Sequence, residues 1–410
     1  MKGTRGSLRE LISHITPEKS DSSRPHWVGF DAVRAVAVVA VVVLHALVPY
    51  LKHPMPGLVW SVSVMDEPSA LADGVFWSIE LFVMPLFLVI AGFFAYGTYA
   101  KKGAGALASS RAKRLLRPLL FGLVVIIPLD LYIWVLGWVA EGWVTPRKLK
   151  TLKFDGVVDK DFWGLSHLWF LHYLFSYIVL FALAAKVYSR WPKGSKAWVS
   201  RFCLSLPAVV AVGWAVAATV IYLHPEVIWG FQHDFAPVPS KWIYNGVFFM
   251  IGLAIARVDP AALRWRSFSL AWSAVAIGFV ATTVPFGLEM LEGTSNQSHG
   301  SRMMLALMTA SSSLLASLMI VGMALRYIRA IPVAIQYLAA ASFWIYLVHH
   351  PILGLVHIDL KWMLPDASPI LKATLATTIT LVGSLLTFEC FVRRSKAGRW
   401  LGMAWAMPLR

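Results

Sequence analysis

The sequence predicts an all-α integral membrane protein with about ten transmembrane helices and both termini in the cytoplasm. Of the 410 residues, 58% are hydrophobic and only 14% are charged, which is too apolar for a soluble chain. The apolar stretches run to about 20 residues without period-two alternation, and this excludes a transmembrane β-barrel. The 19 Trp, 23 Phe and 12 Tyr suit helices whose ends are anchored by aromatic rings at two membrane interfaces.

Ten apolar stretches follow one another along the chain, each near the length of about 20 residues that a bilayer requires. A polar tail, residues 1–26, precedes them and lacks the apolar core and cleavage site of a signal peptide. Residues 27–392 then form one membrane domain, and residues 393–410 form a basic cytoplasmic tail. We predict helices over 27–50, 75–100, 116–140, 165–186, 203–223, 241–257, 268–290, 303–325, 333–357 and 369–392.

Basic residues are distributed unequally between the two sides of these helices. Ten helices put both termini on one side, and the tails and loops of that side hold about 26 of the 37 Lys and Arg residues. The positive-inside rule places this side in the cytoplasm. The formal net charge of +16 then reflects topology, anionic lipid head groups and a phosphate-bearing substrate, and no nucleic acid partner is expected. Two cysteines, Cys203 and Cys390, do not support a disulfide framework.

The first helix carries a cation and an imidazole inside its apolar sequence. Arg34 and His45 are eleven positions apart, which corresponds to about 16 Å along a helix and nearly the same face. Taken singly, Arg34 is more simply a snorkelling side chain that can pair with Asp31, and His45 a packed core residue. Together they place a cation near the cytoplasmic entrance and a titratable group beyond the midplane.

The second helix contains a carboxylate, Glu80, within an apolar run. A charge at this depth requires a partner. His45 and Arg34 are the candidates, and the depth ordering favours His45 because Glu80 enters from the periplasmic side. Glu80 is therefore a candidate to orient or charge-stabilise the imidazole.

A basic segment, Arg111, Lys113 and Arg114, leads directly into the third helix. Positive-inside bias explains a basic loop here. Arg111 and Arg114 are three apart and share a helical face, a spacing that suits a site for phosphate groups. No glycine-rich nucleotide fingerprint accompanies them, so we expect a charge clamp and not a P-loop.

Further histidines occur near the ends of helices four and nine. His167 and His172 are five residues apart and point about 140° apart around a helix, which makes them poor ligands for one metal ion. His167 is either an interfacial anchor or the lining of a groove. His349 and His350 are adjacent, so at most one of them faces a given cavity. No HExxH or acid-rich set accompanies them, and we predict no metal site.

These stretches, in this order, resemble membrane acyltransferase family 3, and the resemblance covers roughly residues 27–392. The family has a basic residue and a His separated by ten residues on its first helix, which correspond to Arg34 and His45. The stretch FLVIAGFF resembles a second family segment, with Ala91 in place of the usual Ser. Three further matches are SRAKRLLRP, with Arg111, Arg114 and Pro118, SHLWFL at 166–171 and ASFWIYLVHHP at 341–351. The last two are most similar to the branch of glucan biosynthesis protein C, a periplasmic glucan succinyltransferase.

The resemblance implies transfer of an acyl group, acetyl or succinyl, from cytoplasmic acyl-CoA to a hydroxyl of a glycan or other small acceptor. Acyl-CoA is then a co-substrate, no cofactor is permanently bound, and the enzyme is a multi-pass protein of a bacterial-type inner membrane. Arg34, Arg111, Lys113 and Arg114 would hold the coenzyme phosphates. The implied lining of the acceptor path or pore is His167, Trp169, Tyr346, His349 and His350.

His45 is the expected catalytic group, either as a general base for the acceptor hydroxyl or as the carrier of a covalent acyl-imidazole. Sequence does not separate these two mechanisms. A transporter or flippase of a sugar- or lipid-linked substrate is the alternative from another class, because it too would contain ten helices, intramembrane charges and broken helices. The absence of a detectable inverted repeat and the one-sided cluster of cations favour the enzyme.

Overall fold

The computed structural model of the protein describes residues 28–58, 60–63, 68–151, 163–192, 205–232, 234–262, 264–265, 269–293 and 298–403. Within these ranges all regular structure is helical, apart from an isolated β-bridge between Leu51 and Ser69. The tail 1–26, Cys203, most of the outer loop after residue 151 and the last seven residues of the C-terminal tail lie outside the described residues. The chain is an all-α integral membrane protein of about ten helices, as the sequence predicts.

We number the α-helices in chain order, leaving the 3-10 and π turns unnumbered. The first seven are α1 Val28–Leu47, α2 Ala70–Phe121, α3 Ile127–Ala140, α4 Lys148–Thr151, α5 Trp169–Ser189, α6 Leu206–Leu223 and α7 Glu226–Trp229. The remaining six are α8 Pro239–Val258, α9 Leu270–Glu292, α10 His299–Tyr327, α11 Val333–Met363, α12 Pro369–Phe388 and α13 Lys396–Leu401.

Nine helical stretches of the described chain are long and apolar enough to cross a membrane. One of them, Ala70–Ala140, combines α2, a π-helical turn at Gly122–Ile126 and α3 in 71 residues. A straight helix of that length would measure about 106 Å, more than three times the hydrocarbon thickness of about 30 Å. This stretch therefore supplies two crossings, and the nine stretches give ten.

The reversal within this stretch occurs at Gly103. Its backbone has φ +78° and ψ 173°, a conformation open essentially to glycine alone. The two ends of the stretch confirm the reversal, because Asp73 binds the main chain of His53 and Glu141 binds the main chain of Ser63. Both ends of a 71-residue helical run thus meet the same short connecting segment on one side of the bundle.

α2 and α8 cross at close range because each presents a glycine to the other. A Cβ atom on Gly92 would lie 2.2 Å from the carbonyl oxygen of Phe249, and one on Gly252 would lie 2.1 Å from that of Val89. Such an approach of two backbones is typical of membrane helices that pack through small residues. The crossing aligns the outer parts of α2 and α8, which carry Glu80 and Lys241.

Candidate active site

A polar cavity of about 60 Å³ lies inside the half of the bundle opposite the predicted cytoplasmic side, and we call it the histidine cavity. It is formed by α1, α2, α3, α5, α8 and α11 together with the turns that precede α5 and follow α7. Polar side chains from helices far apart in sequence converge on it, which is costly in a membrane and marks a functional site. Its polar and aromatic lining includes His45, Phe76, Glu80, Trp134, Ser166, His167, Trp169, Phe231, Lys241, Tyr346 and His350.

The imidazole of His45 is held in one tautomer. Its Nδ1 lies 2.8 Å from the carbonyl oxygen of Val41, one turn earlier on α1. Because a carbonyl oxygen only accepts hydrogen bonds, Nδ1 carries the proton and Nε2 carries the lone pair. Among the described residues Nε2 has no hydrogen-bond partner, and His45 lines the cavity. The cavity therefore contains an imidazole nitrogen able to accept a proton.

His349 packs behind His45 and supports this tautomer. Its Nδ1 lies 2.8 Å from the carbonyl oxygen of Tyr346, so this nitrogen carries the proton and Nε2 is an acceptor. That Nε2 lies 3.4 Å from Nδ1 of His45. His349 is fully buried and is not in the cavity lining, whereas its neighbour His350 is.

Asp130 and His350 form a buried pair that sequence inspection missed. Nδ1 of His350 lies 2.9 and 2.8 Å from the two carboxylate oxygens of Asp130, and Ser166 donates to the same carboxylate at 3.1 Å. Asp130 is the only acidic residue in the predicted helix 116–140. A carboxylate inside a membrane helix is costly, and this argument made Glu80 a candidate. The same argument applies to Asp130.

Glu80 lies in the same cavity as His45, but the charge acting on it is that of Lys241. No hydrogen bond joins Glu80 to His45 or to Arg34 among the described residues. Lys241 donates to the carbonyl oxygen of Gln232 at 2.8 Å, and its ammonium lies 4.1 Å from the ring centroid of Trp169. Lys241 is the first residue of the sixth predicted helix, 241–257, and a basic residue at that position could have indicated it from the sequence.

A second cavity, of about 520 Å³, lies toward the side of the termini, and we call it the arginine pocket. Arg34, Arg111 and Arg114 line it, as the phosphate-site hypothesis requires, and Arg34 pairs with Asp31. Lys113 is exposed and lies outside the lining. Residue 113 lies about 200° around the helix from residue 111, which explains why only the two arginines share this face.

An aromatic layer separates the two cavities. Phe170 and Phe343 line the arginine pocket, and Tyr346 lines the histidine cavity. The ring centroid of Tyr346 lies 6.0 Å from that of Phe170 and 6.4 Å from that of Phe343, and the hydroxyl of Tyr346 donates to the carbonyl oxygen of His167. We call these three residues the aromatic partition.

Residues 51–58 and 60–63, which we call the outer strap, cover the histidine cavity on the other side. Met55 and Leu58 line the cavity, and the ring centroid of Trp60 lies 4.6 Å from that of His350. Ser63 is held at one end by its main-chain bond to Glu141, and His53 is held at the other end.

His53 binds two carboxylates on the outer surface. Its Nδ1 lies 2.6 Å from Asp73, and its Nε2 contacts Glu292. Burial lowers the pKa of His53, but the hydrogen bonds and negative charges of Asp73 and Glu292 outweigh burial and raise the pKa above its usual value. The strap is thus anchored by an ion cluster that strengthens when His53 is protonated.

The sequence predicts no metal site, but three potential metal ligands lie close together in the structure. Asp130, His167 and His350 each offer a ligand atom, and these atoms lie within 4.8 Å of one another. Two of these groups already bind each other through the Asp130–His350 hydrogen bond, and Nε2 of His167 lies 3.1 Å from the carbonyl oxygen of Leu347. The absence of a metal ion stays a prediction for elemental analysis.

Comparison with known proteins identifies the family of the chain. No curated protein and no solved structure matched it. The family model described as an acyltransferase domain, Acyl_transf_3, matches residues 27–389, nearly the whole membrane domain and all the residues that line the histidine cavity. The chain therefore belongs to acyltransferase family 3 and is a membrane acyltransferase.

Proposed function

We propose that this acyltransferase moves an acyl group from acyl-CoA, bound on the cytoplasmic side, to a hydroxyl of an acceptor on the opposite side. The observation that carries the proposal is the tautomer of His45. His45 lines the cavity, its Nδ1 is fixed by the Val41 carbonyl, and its Nε2 has no hydrogen-bond partner among the described residues, so this imidazole is equipped to remove a proton from a hydroxyl.

The arginine pocket is the proposed site for the phosphates of coenzyme A. Three guanidinium groups face one cavity that contains a single carboxylate, Asp31, and hydrogen bonds between guanidinium and phosphate are among the strongest in proteins. A volume of about 520 Å³ falls within the usual range of ligand pockets, about 300–1,000 Å³. Lys113, exposed outside the pocket, has no part in this site.

The acyl group must pass the aromatic partition to reach His45. This layer consists of Phe170 and Phe343 on the side of the arginine pocket and Tyr346 on the side of the histidine cavity, with ring centroids 6.0 and 6.4 Å apart. The pantetheine arm of the coenzyme is thin enough to pass between such rings when their side chains rotate. The nucleotide part stays in the arginine pocket.

The acceptor enters from the outer side, under the strap. Its class, the hydroxyl of a glycan or other small molecule, rests on the resemblance to the glucan branch of the family, as do the acetyl or succinyl nature of the donor and the bacterial inner membrane. Nε2 of His45 takes the proton of the acceptor hydroxyl while the oxygen attacks the acyl carbon. Nε2 of His349 then accepts a hydrogen bond from the resulting imidazolium.

The test is replacement of His45 by Ala in the full-length protein. We expect the transfer rate to fall by about 10²–10⁴-fold because the base is lost. Binding of coenzyme A should be unchanged, since it depends on the arginine pocket. His224→Ala, an exposed histidine on the outer surface, is the matched control and should keep the wild-type rate. Transfer by His45→Ala at a near wild-type rate would contradict the proposal.

A further inference from the structure

Ser166 has an unusual backbone at the centre of the candidate site. Its φ is +46°, and only one other non-glycine residue of the described chain, Ala262, has a positive φ. Side chains disfavour this region, and residues held in it cluster at functional sites. In the nucleophile elbow of α/β-hydrolases a strained turn likewise presents a serine at the start of a helix. Ser166 occupies such a turn, immediately before α5, and lines the histidine cavity.

Three groups surround the hydroxyl of Ser166. It donates to Asp130 at 3.1 Å and lies 3.5 Å from Nδ1 of His167 and 3.5 Å from Nδ1 of His350. Nδ1 of His350 carries a proton, because it donates to the carboxylate of Asp130. It therefore cannot take the proton of the serine.

His167 can take that proton. Its Nε2 lies 3.1 Å from the carbonyl oxygen of Leu347, so Nε2 carries the hydrogen and Nδ1, the nitrogen next to Ser166, carries the lone pair. The distance of 3.5 Å between the Ser166 hydroxyl and this Nδ1 is longer than a good hydrogen bond, but pairs of nucleophile and base are commonly looser without substrate. Asp130, by contrast, would have to become a neutral acid beside His350 to accept the proton.

Ser166 also stands where the two cavities approach each other. It lines the histidine cavity, and Phe170, one helical turn later, lines the arginine pocket. An acyl group that has just crossed the aromatic partition therefore reaches the turn of Ser166. From there the carbonyl carbon remains in the cavity that contains Nε2 of His45.

We propose that Ser166 is a nucleophile that accepts the acyl group before the acceptor does, so that the enzyme passes through an acyl-serine ester. This inference rests on the proposed function and adds a covalent step to it. In the first half-reaction the Ser166 oxygen bonds to the acyl carbon of the thioester and the carbon–sulfur bond breaks. The serine proton moves to Nδ1 of His167 and from there to the departing thiolate, which leaves as coenzyme A thiol.

In the second half-reaction the acceptor oxygen bonds to the acyl carbon and the ester bond to Ser166 breaks. The acceptor proton is taken by Nε2 of His45 and ends on the serine oxygen, which restores the enzyme. The donor and the acceptor therefore do not have to be bound at the same time. Each can approach from its own side of the membrane.

The experiment uses detergent-solubilised full-length protein with acetyl-CoA and, separately, succinyl-CoA as probes. In His45→Ala the second half-reaction is blocked, so we expect the protein to gain the mass of one acyl group, with peptide mapping placing it on Ser166. Ser166→Gly in the same background should abolish the adduct. Glycine removes the hydroxyl and accepts positive φ without strain, so this variant should keep the fold. Ser189→Ala, an exposed serine at the far end of α5, is the matched control and should retain the adduct.

Kinetics supply a second readout in the protein with His45 intact. With a neutral glucose oligosaccharide or water as acceptor, an acyl-serine mechanism predicts a burst of coenzyme A thiol equal to the enzyme concentration, and Ser166→Gly should lose the burst. Ser166→Cys should form a thioester that neutral hydroxylamine cleaves faster than the serine ester.

Three outcomes would overturn the assignment of Ser166. They are an adduct that persists in Ser166→Gly, an adduct mapped to His45 in the protein that retains this histidine, and full turnover by Ser166→Gly without any adduct. The last two leave the proposed acyl transfer intact. If wild-type protein neither releases thiol nor forms product with either donor, the proposed function itself fails.

Discussion

Asp130 and His350 are 220 residues apart in sequence, yet the imidazole Nδ1 of His350 lies 2.8–2.9 Å from both carboxylate oxygens of Asp130. The side chains of both residues are almost completely buried. The pair fixes the tautomer of His350 and holds Ser166 beside it, so it organises one wall of the histidine cavity.

Asp130→Asn tests this organising role. The amide of Asn can donate to Nδ1 of His350 and so favours the opposite tautomer, which in a serine protease triad costs about 10⁴-fold in rate. We expect a loss of about 10²–10⁴-fold in kcat with little change in the KM for acyl-CoA. The exposed Asp359→Asn on α11 is the control and should be neutral. A near wild-type kcat in Asp130→Asn would show that the Asp130–His350 pair contributes only to packing.

Arg111→Ala and Arg114→Ala should each weaken donor binding under the proposed function, because both residues line the arginine pocket. A charge-assisted contact contributes about 1.5–3 kcal/mol, which corresponds to a rise of about 10- to 100-fold in the dissociation constant. Titration calorimetry with coenzyme A measures this change. Lys113→Ala is the matched control, since the lysine is exposed outside the pocket. Equal affinities of all three variants for coenzyme A would mean that these basic residues determine only the orientation of the protein in the membrane.

Gly103→Ala should destabilise the fold where the chain reverses. The backbone at φ +78° and ψ 173° is strained for any residue with a Cβ, at a cost of about 1–3 kcal/mol. Gly105→Ala is the control, since Gly105 lies in a helix and a Cβ atom there would meet no other atom within 4 Å. Alanine at that position favours the helix by up to about 1 kcal/mol. Thermal unfolding in detergent should therefore shift in opposite directions, and a shift of the same sign and size would refute the role of Gly103.

The His53 cluster should make stability depend on pH. The folded-state pKa of His53 is raised above the value of about 6.5 expected in the unfolded chain. Its stabilisation is therefore complete below about pH 6.5 and is lost as pH rises through the folded pKa. We expect the Tm to fall over that interval and His53→Gln to flatten this dependence. His224→Gln should leave the slope as in the wild type, and an unchanged slope in His53→Gln would contradict the prediction.

Topology is tested by labelling single cysteines in a protein whose two natural cysteines are replaced by serine. We predict that both termini are cytoplasmic, so Thr145→Cys in the loop before α4 should react with an impermeant maleimide from outside. Ser109→Cys in the basic segment should react only after permeabilisation. The opposite pattern would invert the orientation of the protein and exchange the sides assigned to donor and acceptor.

The fold was largely predictable because each transmembrane helix is recognised from a continuous apolar stretch of the sequence. Each crossing is an apolar stretch of bilayer length. The ends of the ten predicted helices lie within about six residues of the described ones, except that the third helix begins earlier, directly after Gly103. Arg111 and Arg114 were placed on one face from helical periodicity, which is also a local property, whereas Arg34 was joined to them by its cytoplasmic position and by the family resemblance. Lys113 does not share the helical face of Arg111 and Arg114, and it was assigned to the phosphate site only because it is a basic residue of the same segment.

Pairing across the bundle was not predictable from the sequence. Glu80 needed a partner, and depth favoured His45. The crossing of α2 and α8 at Gly92 and Gly252 places Lys241 in the lining of the cavity that also contains Glu80 and His45, and no hydrogen bond joins Glu80 to His45 among the described residues. The hydrogen bonds of Asp130 with Ser166 and His350 join parts of the chain that are distant in sequence, and no spacing within one helix encodes them.

Under the proposed function, the outer strap separates the proton-transferring groups from residues that shape the acceptor side of the cavity. His53 and Ser63 anchor its ends to the bundle, while Met55 and Leu58 form part of the cavity wall without contributing a proton-transferring group. Substitutions at these two positions would reshape the room beside His45 and leave the histidines and the arginine pocket as they are. Under the proposed function, acceptor preference could therefore be redesigned through Met55 and Leu58, which carry none of the proposed catalytic groups.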